Sequence, residues 1–236
     1  MSATMRIVTI PALEALPGLV HGFERRLGPS GWETREEGRR RVTQALAPKG
    51  RLHLLRQVHG ADLRRAPWEG TPDGDAALAQ APGLILGVET ADCVPVLIVD
   101  PKRRAVAVAH AGWRGTAQGV AGVAAGALVA SGSDPGDLIA AMGPAAGPCC
   151  YEVGEEVREA FGTEGKPFFH AGPRGRPHLD VPAANRAQLQ AAGLRPERIH
   201  HVDDCTICQP DLYHSYRREG REGGRMISFV GYGGSV

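Results

Sequence analysis

The chain of 236 residues lacks an excess of either charge, because 27 lysine and arginine residues face 26 aspartate and glutamate residues. Domains that bind nucleic acid usually carry a basic surplus, and segments that bind anionic membranes carry clustered basic residues. The formal net charge of +1 provides neither. We therefore expect no nucleic-acid partner and no membrane partner.

Cysteine is scarce and odd in number, which excludes a framework of disulfides: there are five cysteines. Long apolar runs are also missing, since Leu84–Val88 and Val94–Val99 are far too short to cross a bilayer. The N-terminal residues do not combine a basic start, an apolar run and a small-residue cleavage site. These absences predict a cytoplasmic protein with reduced thiols.

The middle of the chain does contain short continuous apolar runs, which are typical of buried strands. They predict three strands, over residues 83–89, 95–100 and 104–110, and Asp100-Pro-Lys102 predicts a turn that makes the last two an antiparallel hairpin. A helix from about Thr116, its expected N-cap, to Ala130 follows. Further helices are expected over 36–46, 155–161 and 183–192, and further strands over 138–142, 199–202 and 226–230. The mixed order predicts a single α+β domain over residues 1–236, with strands sandwiched between helices.

Three polar side chains are expected to lie where buried strands end. His59 lies in Arg56-Gln-Val-His-Gly60, Cys93 in Thr90-Ala-Asp-Cys-Val-Pro95, and His110 in His110-Ala-Gly-Trp-Arg-Gly115. Two imidazoles and a thiolate suit zinc, and three protein ligands leave a fourth position open for water or substrate, as in catalytic zinc sites. Asp92 is expected either to orient a ligand histidine or to cap its turn.

The same residues allow other interpretations. A buried histidine is more often a satisfied core residue than a ligand, and a lone cysteine often acts as a small apolar side chain. Cys93 and His110 would also serve as a metal-free thiolate–imidazolium pair with the cysteine as nucleophile. Long separations along the chain carry no local signature that decides between these hypotheses.

Positive charge beside a helix start predicts an anion site. Arg114 stands just before the expected helix at Gly115-Thr116, where free backbone N–H groups and a guanidinium group would together bind phosphate. The alternative is an arginine that faces solvent next to a core tryptophan. Arg56 and the pair Arg217-Arg218 are further candidates for positive charge at the site.

A competing metal or redox site is suggested by the CxxC of Cys205 and Cys208, which follows two histidines and two aspartates. A second CxxC or a histidine pair at zinc-finger spacing is missing, which disfavours this hypothesis. Cys149 and Cys150 are adjacent and are interpreted as structural.

Several of these motifs together resemble one family, and the likeness runs from Gly22-Phe23 to the last strand. The segments that carry it are Gln57-Val-His-Gly60, Thr90-Ala-Asp-Cys-Val-Pro95, His110-Ala-Gly-Trp-Arg-Gly-Thr116, Gly143-Pro-Ala-Ala-Gly-Pro-Cys-Cys-Tyr-Glu-Val-Gly154, Cys205-Thr206 and Ser215-Tyr-Arg-Arg218. They are similar to the laccase-domain, or polyphenol oxidase-like, family of purine nucleoside phosphorylases.

The resemblance implies more than the spacing shows. It implies a mixed β-sandwich flanked by helices, similar to the catalytic domain of the cytotoxic necrotizing factor toxins. It implies zinc held by His59, Cys93 and His110, and phosphorolysis of adenosine, inosine and methylthioadenosine with adenosine deamination as a side activity. It also lowers the expectation of a metal knuckle at Cys205 and Cys208, because family members have such a segment near the site without that role.

The chemistry of the residues and the family resemblance together suggest a role for each residue at the site. We expect Asp92 to support the ligands, Arg114 with Arg56 to bind phosphate, and Gln57 and Tyr151 to contact substrate. The stretch Gly74-Asp-Ala-Ala-Leu-Ala-Gln80 departs from the family, which usually has a hydroxyl-bearing run there. A monomer is the favoured state.

Two other functions remain open at this point. A copper-binding polyphenol oxidase needs more imidazoles than the two in motif positions, out of nine histidines in all, although copper would bind the same three ligands in vitro. A metal-free Cys–His amidase rests only on the likeness to the toxin fold.

Overall fold

The computed structural model describes residues 6–27, 34–173 and 175–234, and within these ranges it contains the following elements. The strands are β1 (Ile7–Val8), β2 (Leu19–Glu24), β3 (Arg51–His53), β4 (Leu63–Arg65), β5 (Ala76–Ala79), β6 (Leu84–Thr90), β7 (Val94–Asp100), β8 (Ala105–Ala111), β9 (Ile139–Met142), β10 (Phe169–Ala171), β11 (Pro177–Leu179), β12 (Ile199–His201) and β13 (Met226–Tyr232). The helices are α1 (Pro11–Glu14), α2 (Arg35–Leu46), α3 (Trp113–Ala117), α4 (Val120–Ala130), α5 (Glu155–Phe161), α6 (Val181–Ala191) and α7 (Tyr216–Glu219).

Two β-sheets pack face to face and helices cover their outer faces. One sheet has the strand order β1-β2-β13-β6-β3 and the other the order β12-β9-β7-β8-β5-β4, while β10 and β11 form a separate hairpin. One apolar core lies between the two sheets, a second lies between the six-stranded sheet and α4 and α6, and a smaller one lies under α2. This confirms the predicted α+β class with a mixed sandwich flanked by helices.

The three central strands form where the apolar runs predicted them. β7 and β8 pair antiparallel as expected, with Pro95 opposite His110 and Val99 opposite Val106. Every residue of these two strands is buried, because one face of their sheet packs on the other sheet and the opposite face packs on helices. Continuous apolar sequence is therefore required in an antiparallel pair that would otherwise alternate.

The helix that follows β8 is broken, unlike the single helix that the sequence predicted. α3 ends before Gly119, which adopts a left-handed backbone (φ 83°), and α4 begins at Val120. The predicted N-cap role of Thr116 is wrong, since this residue lies inside α3. Its hydroxyl oxygen instead accepts a hydrogen bond from the Asn185 side chain at 2.9 Å, which joins α3 to α6.

α2 is joined to the five-stranded sheet through a buried carboxylate. Glu89 is 3% exposed and accepts hydrogen bonds from Arg35 Nε (2.9 Å) and Arg39 Nε (2.7 Å) on the helix. Burial alone would raise the pKa of Glu89, but the hydrogen bonds and charges of the two guanidinium groups outweigh it and lower the pKa. The carboxylate is therefore ionised at neutral pH.

We expect Glu89→Gln to lower the free energy of unfolding by about 2–3 kcal/mol at pH 7, less than a fully buried ion pair because both arginines are partly exposed. The folded pKa lies below the unfolded value, so this stabilisation is present above about pH 4.3 and is lost as pH falls through the folded pKa. Urea unfolding at pH 7 and at successively lower pH measures it, and the gap between the two proteins should close in acid.

The exposed pair of Arg51 and Glu69 provides the matched control for this prediction. Glu69→Gln removes the same charge from a solvated pair and should leave stability nearly unchanged. Equal effects of the two variants, or a gap that widens in acid, would show that Glu89 does not act through its buried charge.

Across the described ranges, no helix is both long enough and apolar enough to cross a membrane.

Candidate metal and substrate site

His59, Cys93 and His110 meet beside the paired ends of the central strands β7 and β8 of the six-stranded sheet. One side-chain ligand atom of each lies within 4.8 Å of the others, and the two imidazole rings are edge to face with centroids 4.9 Å apart. The hairpin explains part of this, because β7 begins one residue after Cys93 and pairs with the end of β8 that carries His110. His59 arrives from the loop between β3 and β4.

A buried carboxylate positions two of these side chains. Asp75 is fully buried, and its Oδ1 lies 2.8 Å from His110 Nδ1. The backbone N–H groups of Val58, His59 and Gly60 also donate to its two oxygens at 3.1, 3.0 and 2.7 Å. This binding holds His59 in a left-handed backbone (φ 62°), a strained conformation that tertiary contacts must enforce. Asp75 thus fixes both the His59 loop and the His110 ring.

Asp75 was not among the predicted site residues, although it lies in the stretch Gly74–Gln80 that departs from the family. Asp75 lies directly before β5 and two residues after Asp73, and nothing in its neighbours along the chain points to His110. Asp92, which was expected to support the ligands, instead accepts hydrogen bonds from Thr206 Oγ1 (2.6 Å) and Ser215 Oγ (3.0 Å). It also accepts from the Arg217 backbone N–H at 2.7 Å, so it ties two distant loops to the turn before Cys93.

The electrostatics of the three residues favour charge separation. Burial alone would raise the pKa of Cys93, but the charge of His110 and hydrogen bonds from both imidazoles lower it to about 6. Burial would lower the pKa of His110, but the Cys93 thiolate and Asp75 raise it to about 9. The site therefore stabilises Cys93 as a thiolate, the form in which cysteine binds metals and acts as a nucleophile.

The site also has room for a cation between its donors. With Nδ1 of His110 engaged by Asp75, Nε2 remains as the donor that faces the cluster. Gly112 leaves the space beside the donors open, because a Cβ there would lie 3.0 Å from Cys93 Sγ and 3.1 Å from His59 Cδ2. A soft thiolate, two imidazoles and a carboxylate behind one imidazole match the ligands and the supporting carboxylate of protein zinc sites.

The three residues open into a pocket of about 630 Å³, within the size range of small-molecule sites. Its walls combine aromatic rings with guanidinium groups stacked on them. The pairs, with the distance from the guanidinium carbon to the ring centroid, are Arg114 on Trp113 (4.1 Å), Arg217 on Tyr151 (5.0 Å) and Arg225 on Tyr216 (5.5 Å). Such walls suit a ligand with both a planar ring and negative charge.

The predicted contact residues divide between this pocket and the rest of the surface. Arg114, Gln57 and Tyr151 line it, and so does Arg217. In the described part of the chain, Arg114 has no carboxylate within ion-pair distance. Gln57 is already engaged, since its amide group donates to and accepts from the backbone of Glu89 at 2.7 and 2.8 Å.

Arg56 is not among the lining residues of this pocket. It is exposed and forms a two-point ion pair with Asp73, which neutralises its charge. Arg218 also lies outside the lining, because its guanidinium group binds backbone carbonyls such as Tyr213 O (2.7 Å) and supports the loop beneath Arg217. Of the four arginines considered from the sequence, two line the pocket.

Comparison with known proteins identifies close relatives of this chain. It is 37% identical over 211 residues to purine nucleoside phosphorylase YlmD of Geobacillus stearothermophilus, covering 82% of this chain and 77% of that protein. It is 41% identical over 185 residues to purine nucleoside phosphorylase SCO2081 of Streptomyces coelicolor, covering 76% and 74%. A third relative, adenosine deaminase RL5 from an unknown prokaryotic organism, is 39% identical over 176 residues, covering 72% and 65%.

Solved structures share the whole fold. The crystal structure of YlmD from Geobacillus stearothermophilus has a TM-score of 0.82 at 31% identity, with 93% of both chains covered. Bacillus licheniformis protein YfiH has a TM-score of 0.82 at 27% identity, covering 97% of this chain and 96% of its own. The expected likeness to the cytotoxic necrotizing factor domain stays a prediction. The family model described as multi-copper polyphenol oxidoreductase laccase matches residues 33–233, so the chain belongs to this laccase-domain family.

Proposed function

We propose that this protein is a zinc-dependent purine nucleoside phosphorylase. Its substrates would be adenosine, inosine and methylthioadenosine, with adenosine deamination as a side activity. One observation carries the proposal: a metal-ligand triad opens into a pocket that also presents aromatic faces and an arginine, Arg114, that has no carboxylate partner among the described residues. The names of the phosphorylase relatives and of one deaminase relative support the same activities.

Zinc would be held by His59, Cys93 and His110, with Asp75 behind His110. When bound, zinc would act as a Lewis acid toward a substrate oxygen and keep the Cys93 thiol deprotonated. Copper would bind the same donors in vitro, since the Irving–Williams order favours it over zinc. A physiological copper oxidase is not proposed, because two imidazoles cannot build the additional oxygen-reducing copper centre.

Phosphate would bind between Arg114 and Arg217, which reach the same pocket from different elements. Guanidinium groups match phosphate oxygens in geometry and charge. The aromatic partners Trp113 and Tyr151 hold these groups in position by stacking. Arg217 already donates one N–H to Glu152 O at 3.0 Å, so its remaining N–H groups would bind phosphate. Arg56, paired with Asp73 outside this pocket, is no longer needed in this role.

The nucleoside would place its purine against the aromatic walls. Burial and the nearby Cys93 charge raise the pKa of Tyr151 to about 12, so its hydroxyl keeps its proton at neutral pH and can donate to the base. Tyr216 is 48% exposed and offers a ring face at the mouth of the pocket. Ring stacking and a single neutral hydrogen-bond donor discriminate little between one purine and another. The pocket therefore fits a broad class of purine substrates.

The reaction balances without any external oxidant. An oxygen of hydrogen phosphate forms a bond with C1′ of the ribose as the N-glycosidic bond breaks. The bonding electron pair leaves with the purine, which takes up, directly or through solvent, the proton that the phosphate loses. The arginines bring phosphate close to C1′ and offset its repulsion from the electron-rich base. This placement turns a reaction of two solutes into one within a single complex.

Product analysis tests the proposal directly. Metal-quantified protein is incubated with adenosine with and without phosphate, and products are separated and identified. Adenine and ribose 1-phosphate should form only with phosphate. Turnover to inosine alone would leave deamination as the main activity, and no turnover of any purine nucleoside would contradict the proposal.

One observation favours a second candidate, a metal-free Cys–His amidase. Cys93, His110 and Asp75 have the order of nucleophile, base and orienting carboxylate seen in hydrolytic triads. Zinc content separates the candidates: about one equivalent bound through Cys93 blocks the nucleophile and favours the phosphorylase. Full activity after complete metal removal would favour the amidase chemistry.

Replacing Asp75 with asparagine is expected to weaken zinc binding about 10- to 100-fold, as is usual when the carboxylate behind a ligand histidine is lost. The amide carries no charge to stabilise His110. It also presents two N–H groups to partners that are themselves hydrogen-bond donors, namely His110 Nδ1 and three backbone N–H groups. Competition with a chromogenic chelator measures the affinity. Asp73→Asn, an exposed carboxylate in the same segment, is the control and should bind zinc like the parent protein.

Three further expectations from the sequence, on cellular location, domain organisation and oligomeric state, belong to this proposal. We propose a cytoplasmic enzyme that acts on small molecules, folded as a single domain over residues 1–236 and favoured as a monomer. Size-exclusion chromatography with light scattering measures the last of these.

A further inference from the structure

A second cluster of thiols lies apart from the triad, on two loops that leave neighbouring strands. Cys149 and Cys150 lie between β9 and α5, and Cys205 and Cys208 lie after β12. The four sulfur atoms all lie within 4.8 Å of one another. Cys208 Sγ is 3.1 Å from Cys150 Sγ and 3.6 Å from Cys149 Sγ. The chain has no second pair of cysteines at CxxC spacing, and the adjacent Cys149 and Cys150 supply the other two thiols instead.

Backbone contacts fix the two loops against each other. Ala145 forms a bridge with Cys205, and the Thr206 N–H donates to Ala145 O at 3.0 Å. The Gly147 N–H donates to Cys205 Sγ at 3.4 Å. A backbone N–H aimed at sulfur stabilises the thiolate over the thiol, as in the surroundings of metal-bound cysteines. The sulfur positions are therefore set by the fold and not only by side-chain rotamers.

The spacing of the sulfur atoms matches a tetrahedral ion. A zinc–sulfur bond of about 2.3 Å places the sulfurs of a tetrahedral site about 3.8 Å apart. The separations of 3.6 Å and 3.1 Å from Cys208 Sγ are shorter than this and the remaining ones stay within 4.8 Å, so side-chain movements of less than about 1 Å would bring the four sulfur atoms to tetrahedral spacing. Four thiolates at this distance repel each other strongly unless a cation lies between them. Cys149 and Cys208 are exposed, which gives an ion access.

We propose that Cys149, Cys150, Cys205 and Cys208 form a second zinc site, closed by four thiolates. Four protein ligands leave no position for substrate, so the site is structural, unlike the open triad. It fastens the loop of residues 143–151 to the loop of residues 202–209.

These loops also support the pocket, which gives the second site a consequence at the first. Tyr151 follows Cys150 directly and lines the pocket. Thr206, next to Cys205, is fully buried and donates to Asp92, the residue before Cys93. Asp92 has a left-handed backbone (φ 85°) that such contacts must maintain. Loss of the second ion is expected to loosen Tyr151 and Asp92 without removing any ligand of the triad.

Zinc counting in a Cys93→Ala background isolates the second site, because the triad has then lost its thiolate. The protein is purified under reducing conditions and its zinc is measured by plasma mass spectrometry. About one zinc ion per chain should remain in Cys93→Ala and none in Cys93→Ala/Cys205→Ser/Cys208→Ser. The parent protein should bind about two zinc ions per chain, and Cys205→Ser/Cys208→Ser about one.

Equal zinc in Cys93→Ala with and without the two serines would overturn the proposal. If the parent binds one ion that only the serine pair removes, the second site stands and the proposed zinc-dependent function fails.

Measurements that leave all four cysteines of the cluster in place cover the case in which the serine variants do not fold. Cobalt(II) replaces zinc, and a four-thiolate site gives strong sulfur-to-cobalt charge-transfer absorption that scales with four thiolates and persists in Cys93→Ala. In the zinc form, a thiol reagent should label the four cysteines slowly, and chelation should raise the rate at least about 10-fold. Labelling at the same rate before and after chelation, or two disulfides found by mass spectrometry in freshly reduced protein, would overturn the proposal.

Discussion

Cys93→Ala is expected to reduce kcat/KM for adenosine phosphorolysis at least about 100-fold, because loss of a residue behind a zinc ligand alone typically costs 10- to 100-fold. The variant removes the thiolate of the triad, whose pKa is lowered to about 6 by His110 and His59 against the effect of burial. Two imidazoles alone would bind zinc weakly. Steady-state kinetics with adenosine and phosphate, together with zinc content, measure the effect.

Controls for this variant separate chemistry from folding. Val58→Ala, at a 49% exposed side chain in the loop that carries His59, should keep activity and zinc. Unfolding of Cys93→Ala should remain cooperative, because the substitution only removes the sulfur atom of a partly exposed side chain. Loss of activity with all zinc retained would instead identify Cys93 as a nucleophile that binds no metal. Retention of both would contradict the proposed site.

Arg114→Met is expected to raise the KM for phosphate about 10- to 100-fold, the equivalent of about 1.5–3 kcal/mol for a charge-assisted hydrogen bond. Its guanidinium group stacks on Trp113 and has no carboxylate partner in the described ranges, so its charge is available to a ligand. The KM for adenosine should change much less, because the base binds to the aromatic walls. Initial rates over a matrix of phosphate and adenosine concentrations separate the two constants.

Arg56→Met is the matched control for this prediction. Arg56 is also an exposed arginine near the site in sequence, but it is paired with Asp73 and does not line the pocket. The variant should leave the KM for phosphate unchanged, and Arg114→Lys should fall between the parent and Arg114→Met because lysine keeps the charge and loses the fork geometry. An effect of Arg56→Met equal to that of Arg114→Met would contradict the assignment of phosphate to this pocket.

The central strands were predictable from the sequence, whereas β1 to β5, β10 and β11 were not predicted. β6, β7 and β8 formed within a residue or so of their apolar runs, because burial on both faces demands continuous apolar sequence. The prediction of a single helix after β8, beginning at Thr116, was wrong in where the helix begins and in its being continuous. The cause is Gly119, whose left-handed backbone interrupts the helix, and a glycine within an Ala- and Gly-rich stretch gives no local sign of that.

The candidate ligands were also predictable, but their support was not. His59, Cys93 and His110 could be selected because each lies in a short motif that is recognisable by itself, although His59 lies within a loop and not at a strand end. Asp75 and the link from Thr206 to Asp92 did not, since each joins parts of the chain that only folding brings together. The same holds for the four-cysteine cluster, where neither half alone has the pattern of a zinc knuckle.

The sequence by itself determined the class of fold, the buried hairpin and the three residues of the triad, because these depend on composition and on order along the chain. Tertiary structure decided which charges remain free: it paired Arg56 with Asp73 and left Arg114 at the pocket. It also decided that Asp75, and not Asp92, holds His110. The physical reason is that hydrogen bonds and ion pairs act over a few ångströms in space, and separation along the sequence does not limit which groups come that close.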